Sequence, residues 1–425
     1  MTSMTPTTFE LLATICFTLA IIHTFSVKQF QKLGNKYPSG SPGENIFHLL
    51  GEVEVVFGIW AGIFIVISSL FINKIETFDY LNSRNFTEAV FVFVIMVVCS
   101  TKPILQMVES IIMGIAKLLP VKRSYGIYFS CLVIGPLLGS FITEPAAMTV
   151  TALFLLNFFF NQKISEKAKY LTLGLLFVNV SIGGTLTPFA APPVLMVASK
   201  WNWDVSFMLT HFGWRSISAI VISTIIISFF IKKDLVQLNT GEILKVKTKL
   251  PMWVILTHVI FLALIVFTHQ NTIIFTGLFL FFLGLVTVTG EYQKQLKLKE
   301  SLLVAFFLGG LVVLGGPQKW WLQPLVTSLS TYSLYIGSIV LTSFTDNAAL
   351  TYLGSQVENL SDISKFALVA GSVVGGGMTV IANAPNPAGY SILNTSFGSQ
   401  GISPLYLFLG ALLPTVIAAV LFFPF

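Results

Sequence analysis

The sequence predicts an all-α polytopic membrane protein of inverted five-helix repeats, each with a re-entrant hairpin and a discontinuous helix, about 10 crossings in all. Three observations carry this. The 425 residues are 55% hydrophobic and only 10% charged, with a mean hydropathy of +0.85, which is too apolar for an ordinary water-soluble domain. A polar phrase, Thr143-Glu144-Pro145-Ala146-Ala147-Met148-Thr149, recurs as Thr345-Asp346-Asn347-Ala348-Ala349-Leu350-Thr351, and each copy sets one carboxylate inside apolar sequence. A second phrase follows each: Gly183-Gly184-Thr185-Leu186-Thr187-Pro188 in the first copy, and Gly375-Gly376-Gly377-Met378-Thr379 with Ala382-Asn383-Ala384-Pro385-Asn386-Pro387 in the second. The first copy carries extra polar residues, Asn161 to Tyr170, between its phrases.

A spanning helix needs about 20 apolar residues. On that ruler Phe9 to Val27, Glu52 to Ile72 and Phe86 to Thr101 are crossings. Met1 to Glu10 has neither a basic segment nor a cleavage signal, so the first run is expected to stay as a membrane helix. Ile104 to Leu119 is amphipathic, opened by Lys102-Pro103, and is expected along the membrane surface. Tyr125 to Phe160 is long enough to cross twice but is interrupted at Gly139 to Pro145, which predicts a re-entrant hairpin. Residues 171–199 exceed one span and are broken by Gly183, Gly184, Pro188 and Pro192, which predicts a discontinuous helix. Val205 to Ile231 is a further crossing and contains Arg215.

The second half repeats this order, with crossings at Met252 to Thr268, Thr272 to Thr289 and Ser301 to Leu314. A surface segment Gln318 to Ser330, a hairpin from about Tyr332 to Val357, a discontinuous helix Phe366 to Leu393 and a crossing Leu405 to Phe423 complete it. The expected domains are therefore residues 1–231, a cytoplasmic linker 232–251, and residues 252–425. Because five is odd, the second copy sits upside down relative to the first. Charge agrees with that count. Of the 24 Lys and Arg, only Lys74, Arg84, Lys200, Lys319 and Lys365 fall on one side and Arg215 within a crossing. All the others share the opposite side, which is expected to be cytoplasmic with both termini outside.

The net charge of +6 forms no basic patch with interleaved aromatics, which argues against a nucleic-acid partner. Cys16, Cys99 and Cys131 lie in apolar runs without metal or redox spacing, and no histidine pair has metal spacing. No nucleophile with a nearby base or phosphate loop appears either, so an enzyme is not expected.

Non-helical backbone at membrane depth must be buried in protein or line a wet cavity. Two hairpin tips and two helix breaks therefore point to one central site. Carbonyls freed at the breaks and the hydroxyls of Thr143, Thr187, Thr345 and Thr379 suit a hard cation such as Na⁺. Glu144 and Asp346 bring negative charge, which near a bilayer centre must be paired, solvated or neutralised. A proton and a cation then compete for the same oxygens. Asp346 leads, because Asn347 beside it adds an amide carbonyl whereas Pro145 does not. Both tips are also good helix N-terminal signals, so capping is the plain structural alternative. Arg215 has no counterpart in the second half and is expected to find a salt-bridge partner or to serve as a gate.

The phrases Gly183 to Pro188 and Gly376-Gly377-Met378-Thr379, each after a polar hairpin tip, resemble the ion-transporter superfamily of sodium/proton antiporters, arsenite carriers and dicarboxylate carriers. The similarity spans nearly the whole chain and is strongest to the bacterial Na⁺/H⁺ antiporter branch. It implies a secondary active transporter in the bacterial inner membrane, exchanging Na⁺ for H⁺ by alternating access, without a cofactor. It further implies a homodimer with a scaffold domain and a mobile transport domain. Dicarboxylate carriers of that superfamily carry Ser-Asn-Thr at both tips, whereas the two acids here disfavour an anionic substrate. By position, the resemblance makes Thr143, Glu144, Thr345, Asp346, Asn347, Gly184, Thr187, Gly377, Thr379 and Asn383 the ion-site residues. The alternative is a Na⁺- or H⁺-coupled carrier of a small organic acid or metalloid oxyanion.

Overall fold

The computed structural model describes residues 5–239, 250–398 and 401–424. Residues 240–249 of the expected linker, including Lys245, Lys247 and Lys249, lie outside the described residues; the linker's start, Lys232–Gln237, is a short helix. Among the described residues the fold is helical throughout, with no strand.

Among the described residues seven helices are long and apolar enough to cross a bilayer: Thr8–Gly34, Val53–Phe71, Arg123–Ile142, Glu166–Leu186, Val205–Phe230, Leu298–Thr327 and Pro404–Leu421. Five of these fall on expected crossings, Glu166–Leu186 is the first half of the expected first discontinuous helix, and Arg123–Ile142 is the first arm of the expected first hairpin. The expected crossing Phe86 to Thr101 is a shorter helix, Thr87–Cys99, joined to Lys74–Asn82 at a 55° bend. Met252–Phe267 and Thr272–Val288 have 16 and 17 residues. At 1.5 Å per residue each is a few ångströms short of a typical hydrocarbon core of about 30 Å. One boundary needs correction. The surface segment expected to begin at Gln318 continues the preceding helix, because Gly316–Gln318 stays helical as a tight 3₁₀ turn with Pro317 where an amide is not needed.

Contacts divide the chain into two compact units, one from Met1–Phe93, Leu298–Ser328 and Tyr352–Leu360, the other from Val94–Lys297, Leu329–Thr351 and Ser361–Phe425. In the first, the phenolic hydroxyls of Tyr80 and Tyr352 donate to the carbonyls of Val313 and Val312, at 2.6 and 3.2 Å. His23 is buried between the Leu50 carbonyl and the Trp60 indole N–H, a polar filler with both ring nitrogens used. Gly310 lies against the backbone of Phe57 and Gly58, where a β-carbon would collide, so the two helices meet at backbone distance.

The second unit contains both repeated phrases. Lys102–Leu118 buries a stripe of Pro103, Ile104, Val108, Ile112 and Ala116, the four-residue spacing of an amphipathic helix. Arg123–Ile142 packs along Glu144–Leu155, which runs on into a π-helical turn at Leu156–Phe160. The first broken helix comprises Glu166–Gly183, a 3₁₀ turn Gly184–Leu186 and Pro192–Trp201; the second comprises Asp362–Gly375 and Asn386–Leu393. Serines cap their starts: Ser165 accepts the amide of Ala168, and Ser361 that of Ser364. Thr331–Thr342 packs on Asp362–Gly375, and Pro404–Leu421 on Glu166–Gly183. The second contact is close because Gly174 and Gly410 meet backbone to backbone.

Candidate ion-binding site

At the first tip only Thr143 separates the two arms, and it turns the chain with φ 73° and ψ 149°, a conformation L side chains rarely adopt. Holding it costs about 1–3 kcal/mol, which the packed arms on either side must supply. The returning helix begins at Glu144, with Pro145 in the first turn, where its missing amide leaves nothing unpaired. Starting the helix at Glu144 sends its side chain off the helix flank and leaves no side-chain cap. The carboxyl is fully buried (0% exposed). Its Oε2 accepts from the Asn383 Nδ2 amide at 2.9 Å, while Oε1 has no hydrogen-bond partner. Gly184 lies directly beneath it, since a β-carbon there would stand 2.5 Å from Oε1. Among the described residues Glu144 has no ion-pair partner.

The breaks are tied to the hairpins by the same kind of bond in each copy. The Thr187 hydroxyl donates to the Ser140 carbonyl at 2.5 Å, and the Thr379 hydroxyl to the Ser343 carbonyl at 2.8 Å. Ser140 does more: its hydroxyl donates to the Gly183 carbonyl at 2.6 Å and accepts the Leu186 amide at 2.9 Å. In the second break the Asn386 amide spans the Gly376 and Thr379 carbonyls at 2.7 and 2.8 Å. Backbone groups that a continuous helix would pair internally are thus paired by side chains.

At the second tip the helix begins one residue after the acid, at Asn347. Asp346, half-buried, uses Oδ1 to accept the amides of Ala348 and Ala349 at 2.8 and 3.0 Å. That is an N-cap. Asn347 takes the interior position: its backbone amide donates to the Ala382 carbonyl at 3.1 Å, and its side chain is 0% exposed with neither Oδ1 nor Nδ2 partnered. It stands over Gly376, where a β-carbon would come within 2.8 Å of Nδ2 and would also strike the Ser181 hydroxyl.

Glu144 therefore meets Gly184 and Asn383, and the Ala382 carbonyl next to Asn383 holds the backbone of Asn347; the Thr143 hydroxyl is buried without a partner, and the hydroxyls of Thr187 and Thr379 are bonded to the serine carbonyls of the hairpins. Besides Asp346, two expected residues serve other ends. Thr345 donates to the Leu341 carbonyl in the last turn of the preceding helix at 2.8 Å, and Gly377 packs against the Val178 backbone. Arg215 also stands apart: its guanidinium lies over the rings of Trp214 and Phe366 at 4.7 and 4.8 Å and donates to the His211 carbonyl. No carboxylate pairs with it among the described residues, so the expected salt bridge is replaced by aromatic faces.

Sequence reading missed Ser140, Ser343 and Ser181. It also passed over Asn179, fully buried with Nδ2 on the Leu132 carbonyl and the Thr224 hydroxyl and with Oδ1 unpartnered. A lone asparagine in the apolar run Leu171 to Ile182 was the available signal.

An all-α chain with several bilayer-length apolar helices and a buried polar cluster at two helix breaks has the build of a polytopic membrane transporter. Residues 8–425 match the model of the family described as "Putative Na⁺/H⁺ antiporter", and the chain belongs to that family. None of the curated proteins compared with it matches.

Proposed function

We propose that this protein exchanges Na⁺ for H⁺ by alternating access, with the two ions competing for Glu144. The observation that carries the reading is the Glu144 carboxyl itself. Fully buried, with one oxygen bonded only to a neutral amide and the other to nothing, it is costly as a bare anion, by several kcal/mol. A proton or a cation removes that cost, and neither needs a further protein charge. A site that crosses the membrane loaded with either ion, but not empty, performs obligatory exchange. Asn347, uncharged and equally buried, offers a carbonyl oxygen that coordinates a cation without holding a proton. Asp346 serves the tip as a cap and adds to the negative field. The transported ions are the only small molecules the cycle requires, so no cofactor or covalent chemistry enters.

In this reading the two phrases belong to inverted repeats, residues 1–231 and 252–425, joined by a cytoplasmic linker 232–251. The tips at Glu144 and Asp346 enter the bilayer from opposite sides as re-entrant hairpins. The protein sits in the bacterial inner membrane as a homodimer; its two termini face outside, an orientation that the distribution of Lys and Arg supports. The test is internal pH in liposomes bearing the purified protein, following Na⁺ pulses over a range of external pH. Na⁺-driven proton movement that is lost in Glu144→Gln, with folding retained, supports the proposal. If Na⁺ moves no protons at any pH, the reading fails, and Na⁺ uptake coupled to a small organic acid or metalloid oxyanion takes its place.

A further inference from the structure

Asn383 lies in the turn between the halves of the second broken helix and is 1% exposed. Its neighbour's carbonyl, on Ala382, holds the backbone amide of Asn347 at the second tip, while its own side chain reaches the first tip. Adjacent residues of one short turn thus hold both tips, Ala382 the second and Asn383 the first. Its amide Nδ2 donates to Glu144 Oε2, whereas its Oδ1 has no partner, and neither has Glu144 Oε1.

A carboxylic acid and a primary amide can close a ring of two hydrogen bonds, N–H to one carboxyl oxygen and O–H to the amide oxygen. One of those bonds is made here. The two atoms that the other requires, Glu144 Oε1 and Asn383 Oδ1, are the ones left without partners. We propose that Asn383 shares the ion with Glu144 and makes proton and Na⁺ interchangeable at this pair. A proton on Oε1 is donated to Oδ1 and closes the ring; Na⁺ entering between the same two oxygens displaces that proton to water and takes both as ligands. The N–H bond to Oε2 persists in each state, and the pair with its load carries no net charge either way. With neither ion, two oxygens with unshared electron pairs share a dry site, so Asn383 raises the cost of the empty state as well as holding the loaded ones. This role rests on the exchange reading above, since it assigns how the second oxygen at Glu144 is used.

The experiment compares Asn383→Leu, Asn383→Asp and Glu144→Gln with the wild type as full-length protein in liposomes, measuring maximal Na⁺-driven proton flux and the Na⁺ concentration for half-maximal flux. Infrared difference spectra on adding NaCl accompany the flux. Leu keeps the size but removes the amide, and is expected to raise the Na⁺ requirement about tenfold or more with the maximal rate changed far less. Asp keeps an oxygen at the Oδ1 position and is expected to hold the Na⁺ requirement within about threefold of wild type. In the wild type, Na⁺ should extinguish a protonated-carboxyl band that is missing from Glu144→Gln and displaced in both Asn383 variants, because the acid has lost its amide partner. An unchanged Na⁺ requirement in Leu, or equal losses in Leu and Asp, overturns the proposal. So does a band that does not move in Asp, which decides the matter even if Leu fails to fold. Should Glu144→Gln transport normally, the exchange reading itself fails, which is a separate result.

Discussion

The first and second tips are spelled alike and built one residue out of step. Aligned by their phrases, Glu144 faces Asp346. Aligned by geometry, Ser140 matches Ser343 as the acceptor of a break threonine, Thr143 matches Asp346 as the residue before the helix, and Glu144 matches Asn347 as its first residue. In each copy that first residue is fully buried, carries an unpartnered side-chain atom, and stands over a break glycine, Gly184 or Gly376. The difference between the copies is then one of charge. One position has a carboxyl, able to take a proton or a cation, and its counterpart has a carboxamide, able only to coordinate.

Predictions follow the size of the effect. Glu144→Gln turns the first position into a copy of the second and should lower Na⁺-driven proton flux by about 100-fold or more, measured in proteoliposomes against a circular-dichroism check of folding. Next comes Gly184→Ala. Its β-carbon would meet the Glu144 carboxyl, so flux should fall while Gly277→Ala, where a β-carbon meets nothing, leaves it unchanged. Asn347→Leu should raise the Na⁺ requirement by about 10–100-fold. Yet it should leave thermal stability in Na⁺-free buffer equal or higher, since an unpartnered buried amide costs about 1–3 kcal/mol that leucine does not incur. A loss of stability would instead make Asn347 a structural residue. The smallest effect belongs to the residue whose phrase matches Glu144. Asp346→Asn keeps a good N-cap and should keep flux within a few-fold of wild type, while Asp346→Ala should cost about 1 kcal/mol of stability. Equal collapse in Asp346→Asn and Glu144→Gln would erase the distinction between the tips.

Much of this was legible in the chain. The breaks fall at Gly183 to Pro192 and Gly375 to Pro387 because glycine and proline weaken helices wherever they cluster, and the tips fall at the repeated phrase. Which acid begins its helix and which precedes it was not legible. Whether a carboxylate caps a helix or projects from its flank depends on which residue starts the helix, and Pro145 and Asn347 move that start by one position. Ser140 and Ser343 were hidden for a related reason: a serine in an apolar helix normally bonds to its own preceding turn, and only the fold shows that Ser140 serves a break more than 40 residues away. Arg215 carried a clear signal of partnership, but charge alone does not tell a carboxylate from a pair of aromatic faces.

The most direct test of the central claim is to count protons released when Na⁺ is added to the purified protein in weakly buffered detergent solution, for the wild type and Glu144→Gln. The account predicts that the wild type acidifies the medium on Na⁺ addition and that Glu144→Gln, though folded, releases no protons. Proton release that persists undiminished in Glu144→Gln would contradict it and move the exchange to another group.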